Sequence, residues 1–269
     1  MKWKRIRKWL LIITLVYVAG GVALYLLQDA ILFHPVQLKR DHRFDFSIPH
    51  QDISIAINEK DTLSLVRFKA ADPVPKGIVL YFHGNKKNIG WYAKYPPYFT
   101  RHGYEVMMID YPGFGKSTGK FTEKILYAWS AQVYKLARSR FAPDRIIIYG
   151  KSMGTGIAAW LASREACRRL VLETPYYDFP SVIQHYLPIY PVNKLLHYQL
   201  PTYRYLPLVK APVTIFHGTR DKVIAYRNAR RLLPLLKQED EFITIEKGRH
   251  NDLYQFPQTI SRLDSLLQR

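Results

Sequence analysis

Sulfur chemistry is almost absent from this chain: its 269 residues include one cysteine, Cys167, so no internal disulfide can form. Cys167 falls between an expected helix and an expected strand, where a packed, inert thiol is the natural reading. Metal-ligand spacing is missing too. His42, His50, His102, His185 and His197 stand singly, so neither a metal nor any other cofactor is expected. Acidic residues are scarce, 21 Asp+Glu against 40 Lys+Arg, and the formal charge of +19 favours anionic partners. No helix-turn-helix, zinc or RNA-binding signature accompanies that charge, and it is scattered along the chain. A membrane surface is therefore the expected basic-face partner, and nucleic acid is not. Internal repeats and low-complexity tracts are absent as well.

Only one long stretch lacks charge altogether. Met1 to Lys8 is cationic, and residues 10–27 follow with no charged side chain. Eighteen residues of helix rise about 27 Å, close to the hydrocarbon thickness of a bilayer. The expectation is a basic cytoplasmic tail over 1–9, a transmembrane anchor over 10–27 and a juxtamembrane connector over 28–50. Gly21-Val22-Ala23 offers the competing reading, a cleaved signal peptide. Against cleavage, the apolar run continues through Leu27, and Trp3 and Trp9 suit the membrane interface. More basic residues precede the span than follow it, so the tail is expected inside and the remaining chain, 51–269, outside: periplasmic if the source is bacterial.

Beyond the connector, Asp52 to Ile57 and Leu63 to Phe68 alternate as a hairpin around Asn58-Glu59-Lys60-Asp61. A continuous apolar run then marks a strand covered on both faces, Gly77 to Phe82, and further strands are expected at Tyr104 to Ile109 and at the apolar run Ile146 to Tyr149. Helical patterns separate them, notably Thr122 to Arg140, and later segments continue as Pro212 to Phe216, Ala225 to Lys237, Glu241 to Glu246 and Phe256 to Leu267. Such alternation gives an α/β domain with a mostly parallel central sheet and helices on both faces. The rhythm breaks over 175–207, a proline- and tyrosine-rich interval expected to be a lid, with Tyr176, Tyr177 and Tyr186 as candidate substrate contacts. The plainer alternative is a packed excursion without a substrate role.

The chemistry centres on Gly150-Lys151-Ser152-Met153-Gly154, set between an apolar strand and small residues at helical spacing. That is a G-x-S-x-G nucleophile elbow in its expected context. A serine hydroxyl needs a base, and the base needs a carboxylate to fix its tautomer. Asp221 follows the strand ending at Phe216, and His250 follows the strand ending at Glu246, so both fall in loops at the sheet edge of Ser152. The order Ser152, Asp221, His250 suits such a site. Developing negative charge needs donors, expected from the N–H groups of Met153 and of Asn85 in His83-Gly84-Asn85.

These residues resemble the α/β-hydrolase superfamily from about Asp52 onward, and in detail its membrane-anchored α/β-hydrolase-domain proteins and serine aminopeptidase-like hydrolases. The resemblance rests on YFHGN (81–85), DYPGFGKSTG (110–119), YGKSMG (149–154), HGTRDKVI (217–224) and GRHND (248–252). It implies the α/β-hydrolase fold and a nucleophile, orienting acid and general base at Ser152, Asp221 and His250. Esterases, lipases, acyl-protein thioesterases and peptidases share the pattern, so the scissile bond stays open among ester, thioester and amide. An acyl-containing small molecule, lipid or acylated substrate is expected. Lys86 and Lys87 depart from the small residues common after HGN; they either draw an anionic group or are simply solvated, the favoured reading.

Several neighbours compete for roles. Asp178 rivals Asp221, because some members of this fold take the acid from the earlier strand. Asp110 is read as supporting the Pro-Gly turn, His34 as structural, His83 as shaping its loop, and Asp252 as capping the final helix. A peptidase would use Glu173 or Asp178 to hold a substrate amine. The remaining alternative is a membrane-surface binding protein that keeps the fold without turnover.

Overall fold

The computed structural model describes residues 2–268. Eight strands form one sheet: β1 (His50–Ala56), β2 (Thr62–Phe68), β3 (Gly77–Phe82), β4 (Tyr104–Ile109), β5 (Ile146–Lys151), β6 (Arg169–Glu173), β7 (Val213–Gly218) and β8 (Glu241–Ile245). Their spatial order is β8-β7-β6-β5-β3-β4-β2-β1, parallel from β8 to β4 and antiparallel through β2 and β1. This is the α/β-hydrolase sheet.

Burial explains the sequence of each strand. β3, β4 and β5 lie between helical layers, and every residue in them is buried, which is why they are apolar apart from Glu105 in β4 and Lys151 at the end of β5. β1 is an edge strand with one face in solvent, and its exposure alternates accordingly. Apolar residues pack against both sheet faces: Leu80, Ile148 and Leu172 into one layer, Val79, Tyr149 and Val171 into the other.

The helices carry local signals. α2 (Glu123–Arg138) follows α1 (Lys2–Leu32) in the chain and begins where the Thr122 hydroxyl accepts from the Ile125 N–H at 3.2 Å. It buries Leu126, Trp129, Val133 and Ala137, a three-and-four spacing on one face. α3 (Gly154–Ala162) leaves the elbow, α4 (Phe179–Tyr186) lies in the lid, and α5 (Pro257–Gln268) closes the fold.

The helix expected over 225–237 is not continuous. One turn, Tyr226–Ala229, passes into a tighter 3-10 segment, Arg230–Leu235, that contains Pro234. Proline has no N–H for the helical ladder and its ring crowds the preceding turn, so the α geometry is not sustained.

α1 is long and apolar enough to cross a membrane by length and composition. It runs past the expected end of the span to Leu32, and its buried residues Leu24, Gln28 and Leu32 form a single stripe at i, i+4 and i+8. The connector then zips onto the domain. His34–Pro35 pairs in parallel with Lys86–Lys87, and Leu38 N–H donates to the Gly115 carbonyl at 2.7 Å.

The interval 175–207 contains α4 and two one-turn helices, Val192–Leu195 and Thr202–Tyr205. It leaves the sheet after β6 and returns before β7, over the strand ends that bear the candidate site.

Candidate active site

β3 and β5 are neighbours, yet the chain leaves them toward opposite sides of the sheet, which opens a crevice at their carboxyl ends. Ser152 stands immediately after β5, and Asn85 lies in the loop after β3. The turn at Ser152 is tight. Its φ is +52°, a left-handed conformation that a serine holds only when its surroundings enforce it. Here the Ser152 N–H donates to the Glu173 carbonyl at 2.9 Å, and its own carbonyl accepts from the Thr155 N–H at 2.9 Å. A side chain at Gly154 would collide with the Phe82 carbonyl, and one at Gly150 with the backbone of Gly154 and Thr155. The flanking glycines thus let the elbow approach β3 and its own helix.

The structure brings three of the expected residues into one line. Ser152 Oγ lies 2.9 Å from His250 Nε2, and His250 Nδ1 lies 2.7 Å from Asp221 Oδ2. All three are buried. The other carboxylate oxygen of Asp221 accepts from the N–H groups of Val223 and Ile224 at 2.8 and 2.9 Å. Burial alone raises the Asp221 pKa, but the hydrogen bond and charge of His250, with His217 and the Ile224 N–H, outweigh it and hold the carboxyl below its usual range.

The loops of Asp221 and His250 are also joined through their backbones. Thr219 N–H donates to the Ile245 carbonyl at 3.0 Å, and Arg220 N–H to the Gly248 carbonyl at 2.9 Å. Parallel pairing of β7 with β8 places these loops side by side. His217, beneath them, is pushed below its ordinary pKa by burial, partly offset by Asp221. Its Nε2 lies 3.0 Å from the Ile224 carbonyl, which fixes the loop after Asp221.

Asn85 and Met153 flank the serine, Met153 as its neighbour in the chain and Asn85 on the facing loop, where Gly84 comes close enough that a Cβ would lie 3.5 Å from that of Ser152. The Asn85 side chain donates to the Leu32 carbonyl at 2.6 Å, and the Met153 carbonyl accepts from the Tyr176 hydroxyl at 2.8 Å.

A cavity of about 640 Å³ opens over Ser152 and His250. Tyr176 and Tyr186 line it; Tyr177 does not. Tyr177 instead stacks on Tyr203 at 4.4 Å with the Arg231 guanidinium over its ring, so this candidate substrate contact is a lid-packing residue. Lys86 and Lys87 are exposed at the rim.

The competitors fall elsewhere. Asp178 caps α4, accepting from the Ser181 N–H at 2.7 Å. Asp110 accepts from the Ile89 N–H at 2.9 Å and lies 3.5 Å from His83, not beside His250. Asp252 does not cap the final helix. It accepts from the Arg249 N–H at 2.6 Å and so closes the turn that carries His250, because a 3-10 turn, Leu253–Gln255, intervenes before α5.

One pair was not foreseen. Lys151 and Glu173, in register on β5 and β6 and each about 1% exposed, form a buried ion pair directly beneath the elbow. Tyr149 donates to the same carboxylate at 2.8 Å, and the Lys151 ammonium reaches the His250 carbonyl at 3.3 Å. The available signal was a lysine ending an otherwise apolar strand opposite a glutamate ending the next.

Comparison with known proteins places this geometry. The family described as serine aminopeptidase, S33, matches residues 73–205. Alpha/beta hydrolase domain-containing protein 17C of Xenopus tropicalis is 30% identical over 208 residues, covering 74% of this chain and 64% of that protein. The match therefore spans just under two thirds of that relative's length. Human alpha/beta hydrolase domain-containing protein 17B is 29% identical over 75% of this chain and 70% of its own length. Among solved structures, an esterase of Pyrococcus furiosus superposes with a TM-score of 0.68 at 20% identity, covering 88% of this chain and 98% of that one. A soluble variant of monoglyceride lipase from Saccharomyces cerevisiae gives 0.62 at 15% identity, covering 86% and 98%. At those identities the structural likeness is one of fold.

Proposed function

We propose that this chain, which has the α/β-hydrolase fold, is an esterase-like, membrane-anchored serine hydrolase that forms an acyl-enzyme on Ser152. The observation that carries this reading is the unbroken contact from Ser152 to His250 to Asp221 at the base of an apolar cavity. His250 takes the Ser152 proton as the oxygen attacks the acyl carbonyl, and Asp221 stabilises the imidazolium that results. The N–H groups of Met153 and Asn85 receive the oxyanion. His250 then returns the proton to the leaving group, and a water activated by the same imidazole releases the acid.

The ester or thioester reading has the better support against a peptidase. Among the described residues, the cavity over Ser152 has no acidic side chain in its lining to hold a substrate ammonium. Glu173 is committed to Lys151 and Tyr149, and Asp178 to the α4 cap.

Two measurements test the proposal. A fluorophosphonate probe should label the wild type, p-nitrophenyl butyrate should be turned over, and Ser152→Ala should abolish both. Folded wild-type protein that takes up no probe would refute it. For the anchor, residues 10–27 are proposed to cross the bilayer with the basic tail inside. Protease added outside intact cells should then digest the hydrolase domain, and a protected domain would reverse that orientation.

A further inference from the structure

We propose that the membrane helix is itself a wall of the acyl pocket, and that Leu24 and Ile31 set the length of chain the enzyme accepts from a bilayer lipid. This rests on the reading of Ser152 as an acyl-transfer nucleophile and adds the substrate class.

The cavity over the serine is built from three parts of the chain. Ser152 and His250 lie at its base, Phe179, Val182 and Leu187 of the lid form one side, and Leu24, Ile31 and Leu32 of α1 form another. Leu24 and Ile31 are seven residues apart, two turns on one helical face, so together they offer an apolar strip about 10 Å long. Without α1 the pocket has no wall on that side.

α1 is fixed in this position by polar contacts that an independent anchor has no use for. Gln28 donates to the Leu195 carbonyl at 3.2 Å and accepts from the His197 N–H at 2.8 Å. Asp29 accepts from the Tyr198 hydroxyl at 2.8 Å. Further up, Tyr17 and Tyr190 stack at 4.8 Å and almost parallel, and the Tyr17 hydroxyl donates to the Ile189 carbonyl at 3.1 Å. From Leu32 to Tyr17 the lid therefore follows the helix for about 22 Å.

Tyr17 lies in the middle of the charge-free run, so a helix that spans the bilayer carries the lid apex into the leaflet. Ile189, 70% exposed at that apex, is an apolar side chain facing lipid. The apolar end of the cavity then meets hydrocarbon, while Lys86 and Lys87 mark its polar rim. A lipid acyl chain lying along α1 presents its carbonyl to Ser152 and its head group to that rim.

The test uses the full-length protein in vesicles. Ile31 is about half exposed, so Ile31→Trp enlarges the wall without forcing the core to repack. It should lower kcat/KM for p-nitrophenyl palmitate at least ten times more than kcat/KM for p-nitrophenyl butyrate. Leu26→Trp, a change to a 69% exposed residue outside the cavity, should alter neither. Equal effects of Ile31→Trp on both chain lengths, or none, would overturn the proposal. A second measurement needs no turnover: a fluorescent sixteen-carbon fatty acid should bind Ser152→Ala protein at least tenfold more weakly once Ile31→Trp is added, and unchanged binding rejects the wall. If the wild type hydrolyses neither ester, the reading of Ser152 has failed, and the fatty-acid measurement still decides the role of α1.

Discussion

The backbone N–H of His34, two residues beyond α1, donates to the carbonyl of Asn85 at 3.0 Å. The Asn85 side chain returns the contact by donating to the Leu32 carbonyl at 2.6 Å. The residue proposed to receive the oxyanion is therefore clasped from both sides by the end of α1 and the residues just after it, the proposed tether to the bilayer.

Asn85→Ala keeps the main-chain N–H and removes only the side-chain half of that clasp. A lost hydrogen bond of this kind is worth about 1 kcal/mol, so kcat should fall by about five- to tenfold while KM for a short ester changes little. Steady-state kinetics of detergent-solubilised protein check this. A rise in KM at constant kcat would assign Asn85 to substrate binding instead.

Asp221 sets a pH window. Its folded pKa lies below the usual value, so its contribution to stability is fully present above about pH 4 and is lost as pH falls through the folded pKa. Thermal unfolding of wild type and Asp221→Asn should differ most at neutral pH and converge in strong acid. The same variant should lose on the order of 10³- to 10⁴-fold in kcat, since an amide holds the imidazole in the wrong tautomer.

The pair beneath the elbow makes a separate test. Lys151→Met leaves the Glu173 carboxylate buried and unpaired, and should destabilise the fold by about 3–5 kcal/mol. Lys151→Met combined with Glu173→Gln should recover much of that loss, because no buried charge remains. Denaturant unfolding of the two variants measures the difference. An equal loss in both would mean that the pair acts through packing rather than charge.

What could be read from the residues alone was local. The elbow announced itself because strand, glycines and small-residue helix are contiguous, and continuous apolar runs identified strands that are covered on both faces. His250 and Asp221 were legible because each closely follows a strand. Contacts between distant segments left weaker traces. The docking of α1 on the lid is carried by Gln28, the first residue after the expected span, and by tyrosines whose hydroxyls seek carbonyls far away in the chain. An apolar helix gives no polar face from which to infer such a partner. The broken helix around Pro234 shows an apolar spacing overruled by a missing donor.

Asp221 and His250, stitched to one another by the Thr219 and Arg220 amides, lie on the chain segment after the lid, while Ser152 belongs to the segment before it. Bringing the three side chains into line therefore depends on how β6 and β7 hold their register as well as on the loops that carry Asp221 and His250. A peptide-bond cut in the lid would leave two complementary fragments, one with Ser152 and one with Asp221 and His250, held together by the parallel β6–β7 pairing and by the Tyr149–Tyr254, Lys151–His250 and Arg101–Asp264 contacts.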